Sequence, residues 1–201
     1  LTQWYDRGVI DFDRVRTFNL DEYVGIDHKN PLSYHAFMQE HLFSKVNLRK
    51  ENVHLPSGNA AVDVQAYDKA IHDAGGIDIQ LLGIGRNGHI GFNEPAEEFT
   101  YGTHVVTLTA DTIEANARFF KNADEVPRQA VSMGIGNIMA AKCVVLVATG
   151  ENKAQAVYDT IRGPITPHVP ASILQLHPCC VILTDREAGR LTLPITCNFV
   201  M

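Results

Sequence analysis

Short apolar runs alternate along the chain with longer segments of helical period, the pattern of βαβ units around a parallel sheet. The runs that predict strands are Val15–Leu20, Asn52–Leu55, Ile77–Ile84, Val131–Met133, Cys143–Ala148 and Cys180–Thr184. Helical stretches lie between them. Pro31–Val46 opens with a proline suited to a first turn and sets Leu32, Ala36, Phe37 and Leu42 at near-helical spacing. Val62–Ala74 runs out at Gly75–Gly76, a C-terminal cap signal. Asp111–Phe120 follows Thr109 and opens on Asp111, either of which could cap it, and Glu151–Arg162 is stopped by Gly163–Pro164. No internal repeat, low-complexity tract or linker interrupts this order, so residues 1–190 read as one α/β domain. The chain opens directly in a helical pattern (Trp4, Tyr5, Val9), and the expected sheet lacks its N-terminal strand. Residues 191–201, LTLPITCNFVM, have neither charge nor clear period and read as an atypical tail.

Composition narrows the class. At 201 residues, 45% apolar and 20% charged, the chain is long enough to bury a real core and close to globular averages. No apolar run reaches the roughly 18 residues of a membrane span, and the N-terminus lacks the basic start and apolar stretch of a secretory signal. A soluble cytoplasmic protein is the expectation. The net charge of −6, with both signs mixed along the chain, argues against a nucleic-acid or anionic-membrane surface. It leaves room for a small phosphorylated ligand, which needs only one or two placed cations, and leaves a homo-oligomer open. Of the four cysteines, Cys143, Cys179, Cys180 and Cys197, none forms a C-x-x-C pair, so neither a zinc cage nor a disulfide framework is indicated. Cys143 and Cys180 sit in apolar runs and read as small buried hydrophobes.

The stretch from Gly76 to Thr100 carries the most chemistry. A buried-type strand, Ile77–Ile84, runs into a glycine-rich loop holding Asn87, His89, Asn93 and Glu94. Gly83, Gly85 and Gly88 formally match the dinucleotide pattern G-x-G-x-x-G, but Gly91 and Pro95 break the helix that pattern should open, and no ribose-binding acid on a following strand completes it. The glycines still signal tight turns and close backbone approach to a ligand. A second polar cluster, Asn19 to Tyr23, ends strand Val15–Leu20, and a third, Thr149 to Lys153, follows strand Cys143–Ala148. All three clusters are expected at C-terminal ends of parallel strands, the edge where open α/β sheets bind ligands. Taken singly, each residue has a plain reading: Asp21 caps a turn, His89 is hydrogen-bonded in its loop, and Glu94, Arg118 and Lys153 are solvated. The nine histidines contain no H-x-x-x-H or H-E-x-x-H pair, so no metal is assigned.

The segments FNLDEYVG (Phe18–Gly25), LLGIGRNGHIGFNEPA (Leu81–Ala96), ANARFF (Ala115–Phe120) and SILQLHP (Ser172–Pro178) together resemble the glucosamine-6-phosphate deaminase family over about residues 1–190. The resemblance implies a Rossmann-like parallel sheet with helices on both faces and an enzyme that needs no cofactor. It implies a sugar-phosphate substrate, glucosamine 6-phosphate, converted to fructose 6-phosphate and ammonia. Asp21 would be the base that moves a proton from C2 to C1, a task suited to a carboxylate that holds and returns one proton. His89 would open the pyranose ring, Glu94 would orient it, and Asn87 would stand beside it. Arg118 and Lys153 would hold the phosphate, and Gly83 would let the sugar lie against the backbone. Thr103–Pro127 resembles the family's mobile lid.

The chain departs from the best-known family pattern in several places. Position 87 is Asn where many members have Asp, which leaves Glu94 as the local anion. His104 and Val106 stand where allosterically regulated members have basic residues, and the long C-terminal extension is absent. The family's N-terminal strand and phosphate loop are expected before Leu1. Two other functions compete: a 6-phosphogluconolactonase-like hydrolase, sharing the G-x-G-x-x-G-H loop, and a non-catalytic sugar-phosphate sensor. Phe92–Pro95 and Asn19–Tyr23 favour the deaminase over the first. The presence of Asp21, His89 and Glu94 together argues against the second, since binding alone needs no proton shuttle.

Overall fold

The computed structural model describes residues 1–59 and 64–192. In chain order the elements are α1 (Thr2–Asp6), β1 (Thr17–Phe18), β2 (Asp21–Tyr23), α2 (Tyr34–His41), β3 (Val53–His54), α3 (Gln65–Asp73), β4 (Ile79–Leu82) and β5 (His104–Thr107). There follow α4 (Ala110–Ala117), β6 (Gln129–Ser132), α5 (Ile135–Met139), β7 (Cys143–Ala148), α6 (Ala154–Arg162) and β8 (Cys180–Thr184). Short 3₁₀ turns fall between them, the longest at Pro170–Leu176. The architecture is α/β with parallel strands, as the alternation predicts. The chain forms two compact units, residues 1–75 with 103–133, and 76–102 with 134 onward.

In the first unit β1 and β3 pair in parallel, Thr17 opposite Val53. The Asn19 N–H still donates to the His54 carbonyl at 3.0 Å, but the Leu20 carbonyl accepts from Met133 at 2.7 Å. The backbone thus changes partner at Leu20. From Asp21 onward it belongs to an antiparallel sheet of order β2–β6–β5, with Asp21 opposite Ser132 and His104 also opposite Ser132. Two expectations are corrected here. Asp21 opens an antiparallel strand instead of ending a parallel one. The predicted strand Val131–Met133 appears as β6, at the centre of that antiparallel sheet. Strand β5 was not predicted, because its two adjacent valines give no period-2 signal. Val131 and Ala130 are buried, while α3 turns Ile71 inward and ends at Gly75 and Gly76, both at positive φ. The start of the predicted helix Val62–Ala74 lies outside the described residues.

Helix α2 begins at Tyr34, not Pro31, because Ser33 is its N-cap: the Ser33 hydroxyl accepts from Ala36 N–H at 3.0 Å. Its two preceding amides, Tyr34 and His35, donate to the Glu22 carboxylate at 3.0 and 2.9 Å. Phe37 N–H closes the first turn on the Ser33 carbonyl. With Ser33 N–H donating to the Asn30 carbonyl at 2.9 Å, the four donors that a helix start leaves without intrahelical partners are all satisfied. Thr109 caps α4 through the Thr112 N–H, which settles the choice between Thr109 and Asp111.

The second unit holds a parallel sheet of order β4–β7–β8, with Leu81, Val145 and Val181 in one cross-strand row. All three strands match predicted runs. Leu82, Val144, Leu146 and Ala148 turn to the buried face, and α6 buries Ala154, Ala156, Val157 and Thr160. Side chains of the alternate face, including Ile79, Leu81 and Leu183, remain more than half exposed. No helix among the described residues is long and apolar enough to cross a membrane.

The hand-over at Leu20 is braced by Tyr67 of α3, whose hydroxyl donates to the carbonyls of Asn19 at 2.7 Å and His54 at 3.4 Å. Tyr67→Phe removes both bonds and keeps the ring. It should lower stability by about 1 kcal/mol and Tm by about 2–4 °C. An unchanged Tm by differential scanning calorimetry would mean that water replaces the hydroxyl without cost.

Candidate active site

The predicted residues divide between the two units. Asp21 and Arg118 belong to the first; Gly83, Asn87, His89, Glu94 and Lys153 belong to the second.

Asp21 is half-buried at the head of β2. Burial, and second the negative charge of Glu22, push its carboxyl up to about 7. Glu22 is 5% exposed and accepts three backbone N–H groups, from Tyr23 at 2.9 Å and from Tyr34 and His35. A half-buried and a buried carboxyl therefore adjoin, with Glu22 the one held by fixed donors. Aromatic side chains surround them. Tyr23 stacks on Tyr34 at 5.3 Å, Phe120 meets Tyr23 edge-on, and Asn116 of α4 donates to the Tyr23 hydroxyl at 3.1 Å. Burial raises the Tyr23 phenol to about 12 and Tyr34 and Tyr67 further, so all three stay protonated and neutral beside Asp21. Sequence reasoning passed over Glu22. No signal in the sequence marks it, because the strand it shares with Asp21 and Tyr23 is too short to show a period. Arg118 follows the last turn of α4, exposed, with its guanidinium 4.6 Å from the Phe119 ring centre.

In the second unit the loop after β4 brings Asn87, His89 and Glu94 together. Glu94 Oε2 accepts from Asn87 Nδ2 at 2.8 Å and lies 3.2 Å from His89 Nδ1. Asn87 Oδ1 accepts from the His89 backbone N–H at 3.2 Å. The imidazole side chain is 17% exposed and Glu94 6%. A carboxylate at Nδ1 favours the tautomer with its proton there, leaving Nε2 as the basic nitrogen. Two glycines make this possible. A Cβ at Gly85 would collide with the His89 ring, 2.5 Å from Nδ1, and one at Gly88, where φ is +83°, would fall 2.7 Å from Val169. An antiparallel bridge between Ile90 and Asn93 folds the loop back, with Ile90 and Phe92 buried beneath it.

Gly83 directly follows β4, and a Cβ there would meet no described atom within 4 Å. It therefore borders open space, and no internal packing requires it to be glycine. Lys153 follows the neighbouring strand β7 and is the N-cap of α6, so its side chain starts where that helix's amides carry partial positive charge. The turn before it is pinned by Asp185, which accepts from Gly150 N–H at 2.9 Å. The clusters after β4 and β7 thus sit at C-terminal strand ends as expected. Asn87, His89 and Glu94 form one hydrogen-bonded group, a proton-handling arrangement with a carboxylate behind an imidazole. Among the described residues no three His, Cys, Asp or Glu side chains group as a metal-ligand set.

The family model described as glucosamine-6-phosphate isomerases/6-phosphogluconolactonase matches residues 1–182. Glucosamine-6-phosphate deaminase of Thermoanaerobacter pseudethanolicus is 55% identical over 194 residues, 95% of this chain and 77% of the relative. That of Clostridioides difficile is 53% identical over 192 residues, 94% and 77% of the two chains. A solved monomeric glucosamine-6-phosphate deaminase superposes with TM-score 0.92 at 42% identity, covering 95% of this chain and 80% of that one. The 6-phosphogluconolactonase of Leishmania guyanensis shares the fold, with TM-score 0.71 at 17% identity over 94% and 79%. With nine-tenths of its length matched and the loop from Gly83 to Glu94 built as described, the chain belongs to the glucosamine-6-phosphate isomerase/6-phosphogluconolactonase family.

Proposed function

We propose that this protein is a glucosamine-6-phosphate deaminase that converts its substrate and water to fructose 6-phosphate and ammonia. The observation that carries the reading is Asp21. A carboxyl raised to about 7 takes and returns a proton near neutral pH, as an aldose–ketose isomerisation requires. The identity to named deaminases at about half of all positions supports the deaminase over the lactonase, whose likeness is one of fold. Phosphorylated sugars are retained inside cells by their charge, and the cytoplasm is the compartment we assign.

In this reading His89 Nε2 takes the anomeric proton and delivers one to the ring oxygen, opening the pyranose. Glu94 stabilises the imidazolium that forms in passing, and Asn87 holds Glu94 in place. Asp21 removes the C2 proton while O1 takes a proton from the ammonium group, giving an enolamine; Asp21 then returns its proton to C1, leaving a C1 hydroxyl and a protonated C2 imine. The resulting C2 imine adds water and expels ammonia, which completes the stoichiometry. Arg118 and Lys153 are assigned to the phosphate, Lys153 with the aid of the α6 N-terminus. Gly83 leaves room for the sugar against the backbone.

Incubation with glucosamine 6-phosphate and a chelator should release one ammonia per fructose 6-phosphate formed. Turnover that disappears with the chelator would refute metal-free catalysis, and lactone hydrolysis without ammonia release would move the protein to the sibling activity.

Asp21→Asn should lower kcat by about 10²–10⁴-fold with KM little changed, because the lost interaction belongs to the transition state. Deuterium from solvent should no longer enter C2 of recovered substrate. The same variant has a stability signature. An unfolded Asp titrates near 3.8, while folded Asp21 holds its proton up to about 7, so between these values the folded state binds more protons and stability falls as pH rises. Asp21→Asn removes that loss. Its Tm should exceed wild type at pH 8, and the excess should shrink toward pH 4. An equal Tm difference at both pH values would show that Asp21 does not carry the buried charge.

His89→Gln should impair turnover of cyclic substrate more than of open-chain analogues, which bypass ring opening. Equal impairment on both would leave His89 without the ring-opening role.

A further inference from the structure

Cys143 and Cys179 are 36 residues apart in sequence, yet their Sγ atoms lie 2.8 Å apart, closer than two sulfurs rest in ordinary contact. Cys143 and Cys180, which their apolar runs imply to be small buried hydrophobes, are each only half-buried, and Cys179 is exposed. The approach follows from the ladder. Val144 pairs with Cys180 across β7 and β8, so the residues one step earlier, Cys143 and Cys179, stand opposite each other where the strands begin. Neighbouring strands lie about 4.8 Å apart, inside the 4.4–6.8 Å Cα span that a disulfide bridges. Both backbones are held. Cys143 N–H donates to Asp78 O at 3.0 Å, and Cys179 O accepts from Val144 N–H at 2.8 Å. The Cys179 N–H donates to His177 Nδ1 at 3.1 Å, and the other nitrogen of that buried ring bonds Ala141 O at 2.9 Å. Cys180, next in the strand, points to the opposite face, alongside Val144.

We propose that Cys143 and Cys179 are a reversible oxidation site, a dithiol that a hydroperoxide converts to a cross-strand disulfide. Cys179 is the exposed thiol and attacks first. Its thiolate takes the distal oxygen of hydrogen peroxide; the O–O bond breaks, leaving a sulfenic acid and a hydroxide that is protonated to water. The Cys143 sulfur then displaces the hydroxyl: S–O breaks, S–S forms, and the departing hydroxide leaves with the Cys143 proton as a second water. The two thiols lose two electrons and two protons, and the peroxide becomes two waters. A small-molecule dithiol reverses the step, itself ending as a disulfide. Contact with Cys179 and then burial push the Cys143 thiol up, which suits it to the second, resolving position. The bond would tie β7 to β8 at their N-terminal ends, the opposite end of the sheet from Gly83 and Lys153.

The test uses the protein in a Cys197→Ser background, which leaves three of the four cysteines. After hydrogen peroxide, non-reducing peptide mapping should link the Cys143 peptide to the one carrying Cys179 and Cys180. Thiol titration should fall by two, a reducing dithiol should restore it, and deaminase activity should persist. Cys180→Ser should give the same link. Cys179→Ser should give none, and Cys143→Ser should accumulate a trappable sulfenic acid at Cys179. Each variant's Tm checks that it is folded. A link that persists through Cys180 in Cys179→Ser, a disulfide between two molecules, or Cys143 still reduced once Cys179 is oxidised would overturn the proposal.

Discussion

The Glu22 carboxylate accepts three backbone N–H groups, from Tyr23 in its own strand and from the first two residues of α2. A charge buried this far needs such partners, because its desolvation would otherwise cost several kcal/mol. The arrangement has two consequences that cannot be separated. It welds the start of α2 to β2, completing the helix cap that Ser33 begins. It also sets a fixed negative charge beside Asp21, adding to the burial that already holds Asp21 near the middle of its titration at neutral pH. A hydrogen-bond network that organises the unit thereby also helps to raise the Asp21 carboxyl.

The glycine-rich loop of the second unit solves a different problem. There an imidazole must be held in one tautomer and orientation, and Glu94 achieves both by occupying Nδ1 while Asn87 secures Glu94. Asn87 carries no charge, so Glu94 is the carboxylate that meets the His89 ring. Gly85 and Gly88 are part of this geometry: the first lets the ring lie against the backbone, and the second makes the turn beneath Val169. The missing Cβ at Gly85 gives the ring its space, and Glu94 at Nδ1 sets its orientation within it.

In the parallel sheet one register generates two unrelated features. Alternation along β4 and β7 sends Leu82, Val144 and Leu146 into the core. The same register, followed back to where β7 and β8 begin, sets Cys143 against Cys179. The first property depends on residue type every second position. The second depends on which strand lies next to which.

The amino-acid sequence alone determined the α/β class, the three strands of the parallel sheet, the stop of α3 at Gly75, a cap for α4 at Thr109 or Asp111, and the loop that holds His89 and Glu94. These were legible because each rests on local chemistry: apolar runs bounded by glycine, a hydroxyl before a helix, and polar residues within a few positions of one another. The tertiary structure alone decided that Asp21 opens an antiparallel strand, that Glu22 caps a helix twelve residues on, and that Cys143 meets Cys179. A three-residue strand with two acids has no period to read. Its register is set by β6, more than a hundred positions away, through hydrogen bonds whose donors and acceptors are the same for every residue.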